Sequence, residues 1–369
     1  MTMPQARPAP SLANPATGSA NPAASLQSLW NYVAPAAAHL MQAPTNTPGK
    51  APALDVGYHM GIHTAVYNYF TVPRPGGAPA GADFYELLDG WFGEVARDAL
   101  LGLPEDDSER LVQYLVPCFQ RYQSGAGAVS RLLNYTNRQY VKRAIDEDRG
   151  WLRLADVIDD VAEAVRNKES HAKLAGRLRA RRDGELMRWG WNGETSDTDS
   201  VAKAEAAAEA GAPPDRVVPL AALAQRRFRL EVLEPLLMVP KAKKKGKGKA
   251  KAKSARGVGS EGNGGTGSGG GPGASSSAGG SGGAGGSGGG GGGSGVGGAA
   301  NGGGQEKAGP KGRLARSVKE LLEGNGVDEA ERVRLAREVA DMLRASGVPP
   351  EHALCRKLAK FNAGVQAES

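Results

Sequence analysis

The sequence predicts an all-α fold with long disordered insertions. Three observations carry this. Apolar residues recur at helical spacing through most of the chain, no run alternates with strand period, and Pro- and Gly-rich breaks separate the periodic stretches. The 369 residues include 54 Gly and 23 Pro, too many for a uniform globule, so part of the length is expected to be linker. Aromatic residues make up only 5%, and four of the five Trp fall between Trp91 and Trp191, which places a modest core in the first two-thirds.

Residues 1–24 are Pro, Ala, Ser and Asn with little apolar content and read as disordered. Ser25 can cap a helix over 26–41, with Leu26, Leu29, Trp30, Val33 and Leu40 on one side. A Pro-broken loop at 43–53 leads to a helix over 57–71, stopped by VPRPGGAPAGA. Residues 84–101 are amphipathic, with Asp83 placed as an N-cap. Ser108 opens a helix over 109–122 that Pro117 should kink, and SGAG at 124–127 marks a bend or a close helix contact. A helix over 128–143 follows and ends at DEDRG.

Helical spacing returns at 151–165 (Trp151, Leu154, Val157, Ile158, Val161) and at 217–237. Residues 166–212, charged and Ala-rich, are expected to be a poorly ordered insertion into a domain spanning 25–240. Residues 241–312 join a lysine run to a Gly/Ser tract whose backbone entropy no buried side chain offsets; they are expected to be flexible linker. A helical segment at 313–362 and a disordered tail at 363–369 complete the chain.

Composition limits function. The net charge is +7, but KAKKKGKGKAKAK at 241–253 supplies eight positive charges and no acid, so everything else sums to −1. A near-neutral folded part argues against an extended phosphate-binding face. Cys118 and Cys355 lie too far apart in sequence for a disulfide framework or zinc spacing, as expected in a reducing compartment, the cytoplasm or nucleus. No apolar leader or membrane-length run occurs. Nor does any phosphate loop, nucleophile–base set or carboxylate pair in an apolar setting, so no enzymatic activity, cofactor or small-molecule substrate is expected.

Two helices carry residues that a core does not account for. In GYHMGIHTAVYNYFT, Tyr58, Ile62, Ala65, Val66 and Tyr69 take one face and leave His59, Met60, His63 and Tyr67 on another. His59 and His63 stand i, i+4, but no third metal ligand is evident. Met and Tyr on an outward face suit a partner surface. In AVSRLLNYTNRQYVKR, Val129, Leu132, Leu133, Thr136 and Tyr140 pack, leaving Tyr135, Arg138, Gln139 and Lys142 outward.

Both stretches resemble the N-terminal region of SCF-type cullins. VYNYFT (66–71) is similar to the family's VYNYCT; 84–88 resembles its LYKRL helix. Residues 122–147 align without a gap to the stretch from YRFSS to RRECDE, sharing Tyr135, Asn137, Arg138, Val141, Arg143, Asp146 and Glu147. FRLEVLEPL is similar to WRDCLFRPL, and 317–347 more loosely to the start of the second repeat. The resemblance implies a stack of cullin repeats, the first whole and the second begun. It also implies a non-catalytic ubiquitin-ligase scaffold in ubiquitin-dependent protein catabolism, binding a Skp-type adaptor with its F-box protein. The implied contacts are His59 (Tyr in the family), Met60, His63 and Tyr67 on the second helix. On the fifth they are Tyr135, Asn137, Arg138, Gln139 and Lys142. The family's RING-recruiting half has no counterpart here, so this chain is expected to bind an adaptor without assembling a ligase. Two alternatives stay open: a helical module tethered to nucleic acid by its lysine run, and a degenerate cullin fragment without ligase activity.

Overall fold

In the computed structural model the described residues are 11–15, 21–43, 49–72, 81–104, 108–147, 154–194, 197–239, 312–324 and 328–368. The chain divides into two units, Met1–Pro240 with Pro310–Ser369, and Lys241–Gly309. The second, with the linker expected at 241–312 up to Lys311, lies outside the described residues, as do Trp151 and Pro73–Ala80 within the first.

The described residues form helices joined by short turns, with no strand longer than the single bridge between Leu12 and Leu54. The order is α1 (Leu26–Gln42), α2 (Val56–Thr71), α3 (Ala82–Asp98), α4 (Ser108–Leu132), α5 (Asn134–Thr136), α6 (Lys142–Glu147) and α7 (Leu154–Arg166). Then come α8 (His171–Arg188), α9 (Thr198–Gly211), α10 (Leu220–Phe228), α11 (Glu234–Leu237), α12 (Arg313–Glu323), α13 (Glu329–Ala345) and α14 (Ala353–Glu368). The all-α expectation holds.

Local chemistry sets the helix starts. Ser25 caps α1 by accepting from the Ser28 amide, and Asp55 caps α2 by accepting from the Tyr58 amide at 2.9 Å. At α3 the expected cap differs: Gly81, at φ +94°, takes the N-cap position. Asp83 instead accepts from the Tyr69 hydroxyl and so ties α3 to α2.

α4 is the spine. It was expected in two pieces, yet it runs for 25 residues through Pro117 and through SGAG. Gly125 is where α1 crosses it: a Cβ there would stand 2.8 Å from the Leu40 carbonyl. Packing of α1, α10, α12 and α13 along its sides holds it continuous. Its buried Phe119 and Tyr122 meet Phe228 of α10, each pair at 5.1 Å between ring centroids. The Tyr122 hydroxyl reaches the Phe92 and Ala224 carbonyls.

Four further expectations are corrected. Residues 166–212 are not a poorly ordered insertion: α8 and α9 form there, and Leu186, Trp189 and Trp191 bury a small core against Ala204, Ala207 and Ala208. Alanines high in helix propensity let α9 approach closely enough to cover both indoles. The segment 313–362 is not separate from 25–240. Leu314, Val318, Leu335 and Val339 belong to the same core as Leu29 and Phe228, and Arg188 forks onto Glu351. Residues 363–368, expected as a disordered tail, continue α14. Within 1–24, Leu12 packs on the core and bridges to the strand-like approach of α2.

Pairing across the unit is anchored by one buried guanidinium and by ion pairs nearer the surface. The Arg226 guanidinium, almost fully enclosed, donates to the carbonyls of Pro213 and Arg216 and closes the α9–α10 loop. Arg227 pairs with Asp89 of α3, and Arg97 with Glu231, so α10 and its continuation are fixed to α3 by charge as well as by packing.

Candidate functional site

α4 ends at Leu132, and the chain turns at Leu133 into α5, a π turn (Asn137–Val141) and α6. This composite lies against α2. The aromatic rings carry the junction. Tyr135 meets Tyr67 at 5.3 Å and 70°, Phe70 at 5.6 Å and 90°, and His63 at 6.0 Å and 81°. Edge-to-face geometry of this kind matches the ring quadrupoles. Residues 65 or more positions apart in sequence are thereby joined into one surface.

On α2 the outward stripe is Val56 (76% exposed), Met60 (57%) and Tyr67 (47%), with His59 and His63 exposed beside it. Val56 was missed by sequence reading. The signal was present, since 56, 60, 63 and 67 follow the i, i+4, i+7, i+11 positions of one helical face. Tyr58 faces inward as expected and donates from its hydroxyl to the Tyr32 carbonyl at 2.7 Å.

Across the junction, Arg138 and Lys142 are exposed and Gln139 is half-buried. Tyr135 is half-buried too, so it supports the face from beneath rather than standing out as an anchor. Asn137 departs from its expected role. Its side-chain amide donates to the Ser130 hydroxyl and carbonyl, at 3.0 and 3.3 Å, and its oxygen accepts from the Leu220 amide at 3.0 Å. All of its bonding capacity that is seen goes inward, tying α4 to the start of α10. Tyr140 likewise turns inward, 5.3 Å from Tyr85.

The face therefore combines an apolar ridge of Val56, Met60 and Tyr67 with a cationic border of Arg138 and Lys142. Chemically it can bury against a complementary apolar surface and meet acids at its rim. Among the described residues no group of three His, Cys, Asp or Glu is placed to hold a metal, and no helix is long and apolar enough to cross a membrane. The unit also has a cleft of about 420 Å³ between α4, α9 and α13, lined by Gln120, Lys203, Gln225, Glu338 and Arg344 among others.

These features define a helical unit with one aromatic, methionine-bearing face. Scans against family models, curated proteins and solved structures find no significant match to the chain.

Proposed function

We propose that this protein is a non-catalytic scaffold of the cullin type, docking a Skp-type adaptor with its F-box protein on the α2–α5 face and acting in ubiquitin-dependent protein degradation. The observation that supports this best is the junction itself. The two stretches singled out by their resemblance to the adaptor-binding helices of cullins touch through Tyr135, Tyr67 and His63. Met60 is the exposed anchor, Tyr67 widens the apolar contact, and Arg138 and Lys142 set register against acids of the partner.

The test is calorimetric titration of the full chain with a Skp-type adaptor carrying an F-box peptide, at two salt concentrations. Sub-micromolar binding, little weakened by salt and lost in Met60→Asp at unchanged helicity, is the expected result. Truncation of such an anchor costs about 2 kcal/mol or more. Unchanged affinity in Met60→Asp, or no binding by the folded protein, overturns the reading. Met60→Asp is the cleaner probe than Tyr135→Ala, because Tyr135 also holds α2 and α5 together.

A further inference from the structure

The cleft of about 420 Å³ beside α4 has a chemically mixed lining. Val116 and Phe119 of α4, Ala207 of α9 and Met342 of α13, all buried, give it an apolar floor. Gln225 of α10 lines it as well. That side chain is only 8% exposed, and its oxygen has no hydrogen-bond partner among the described residues. A buried carbonyl left in this way is uncommon, because it forgoes the bond that would offset its loss of water. The last torsion of a glutamine is soft, so the amide can turn either end toward a ligand. Gln120 and Gln123, both half-buried, add two more carboxamides. Charge completes the lining, with Lys203 and Arg344 set against Glu338 and Asp341. Arg344 and Asp341 stand 4.0 Å apart, a loose pair, and Glu338 is braced by Arg334 at 2.8 Å.

We propose that this cleft binds a small zwitterion with an apolar body: an apolar α-amino acid, free or as a short peptide. Each part of such a ligand has a counterpart in the lining. Two bases balance two acids, so a ligand of one sign meets as much repulsion as attraction, whereas one carrying both signs finds a complement for each. The ammonium has only donors to offer, which suit the Gln225 oxygen and the two acids. The carboxylate has only acceptors, which suit Lys203, Arg344 and the glutamine N–H groups. The aliphatic body lies against Phe119 and Met342. The volume falls within the range of small-molecule sites, about 300–1,000 Å³. Because the lining comes from α4, α9, α10 and α13 together, a bound ligand ties these four helices to one another and stabilises the fold. None of these residues belongs to the α2–α5 face, so adaptor docking and this site stand or fall separately.

Calorimetric titration of the full chain with leucine and with leucyl-leucine tests this, alongside thermal melts at millimolar ligand. The expected result is binding of at least one of the two, with a raised melting temperature. Tighter binding of leucyl-leucine marks a short peptide as the source of the ligand; tighter binding of leucine marks the free amino acid. N-acetyl-leucinamide keeps the apolar body and loses both charges, and it should bind about tenfold or more weakly. Gln225→Met should weaken binding by about tenfold without lowering the melting temperature of the free protein, since its oxygen gives up no bond within the chain. Should that variant fold poorly, Lys203→Ala carries the same test from an exposed position. No binding of either ligand at millimolar concentration, or equal binding of N-acetyl-leucinamide, overturns the proposal. Undiminished affinity in both variants overturns the placement of the ligand in this cleft.

Discussion

Asn137 shows how a single side chain can be read for the wrong purpose. The cullin resemblance implied a contact residue, but it joins α4 to α10 through Ser130 and Leu220. Asn137→Ala strands the Leu220 amide in a largely buried setting, a loss of about 1–3 kcal/mol. Chemical denaturation should report that loss, whereas a solvated Asn would cost almost nothing. Two tyrosines define a second residue-scale prediction. Burial raises the Tyr85 phenol to about 12, and the fully enclosed Tyr122 phenol is raised further still. Because the folded state holds these protons above the ordinary tyrosine range, their stabilisation is complete below about pH 10 and is lost as pH rises beyond it. Stability should fall with a slope of up to about 1.4 kcal/mol per pH unit per phenol. Absorbance titration should show both ionising only with unfolding. Phenols that titrate near pH 10 in the folded chain would contradict this.

At the scale of elements, α4 and α7 teach opposite lessons. α4 runs unbroken through Pro117 and SGAG because its neighbours hold it; the small residues serve the crossing with α1 instead of a bend. Gly125→Val should push α1 off α4 and lower the melting temperature, while the same change at the open Gly90 of α3 should act only through helix propensity. The α7–α8 contact depends on charge. Its hydrogen bond from Arg181, with the Arg177 charge beside it, holds the Asp160 carboxyl below the usual carboxylate range. A lowered carboxylate stabilises the fold at pH above the unfolded value of about 3.9 and stops doing so as pH falls through the folded value. Amide protection factors in α7, corrected for the intrinsic exchange rate, should therefore fall on acidification below about pH 4 before those of α4. Uniform exchange across α4 and α7 at that pH would count against it.

For the whole molecule, the C-terminal helices decide the architecture. Leu314, Val318, Leu335 and Val339 share a core with α1, α4 and α10, and Gly347, at φ +75°, lies where any Cβ would collide with the backbone of α9. A chain cut after residue 240 should lose that cover on α4. We expect a markedly lower unfolding free energy, a smaller denaturant slope and dye-binding apolar surface, measured against the full chain. A fragment as stable as the whole would mean that α12–α14 add no cover to the core.

Helix content, the inward sets of α1 to α4, and the outward set of Met60, His63 and Tyr67 were legible in the sequence by itself, because each depends on periodicity within one segment. So was the absence of strand pattern. Only the tertiary structure decided which helices share a core, since contact between segments far apart in sequence leaves no local trace. That is why α8, α9 and α12–α14 looked peripheral and are not. It is also why the inward bonding of Asn137 left no trace in the sequence, and why Tyr135 and Tyr67 form one face from two distant stretches.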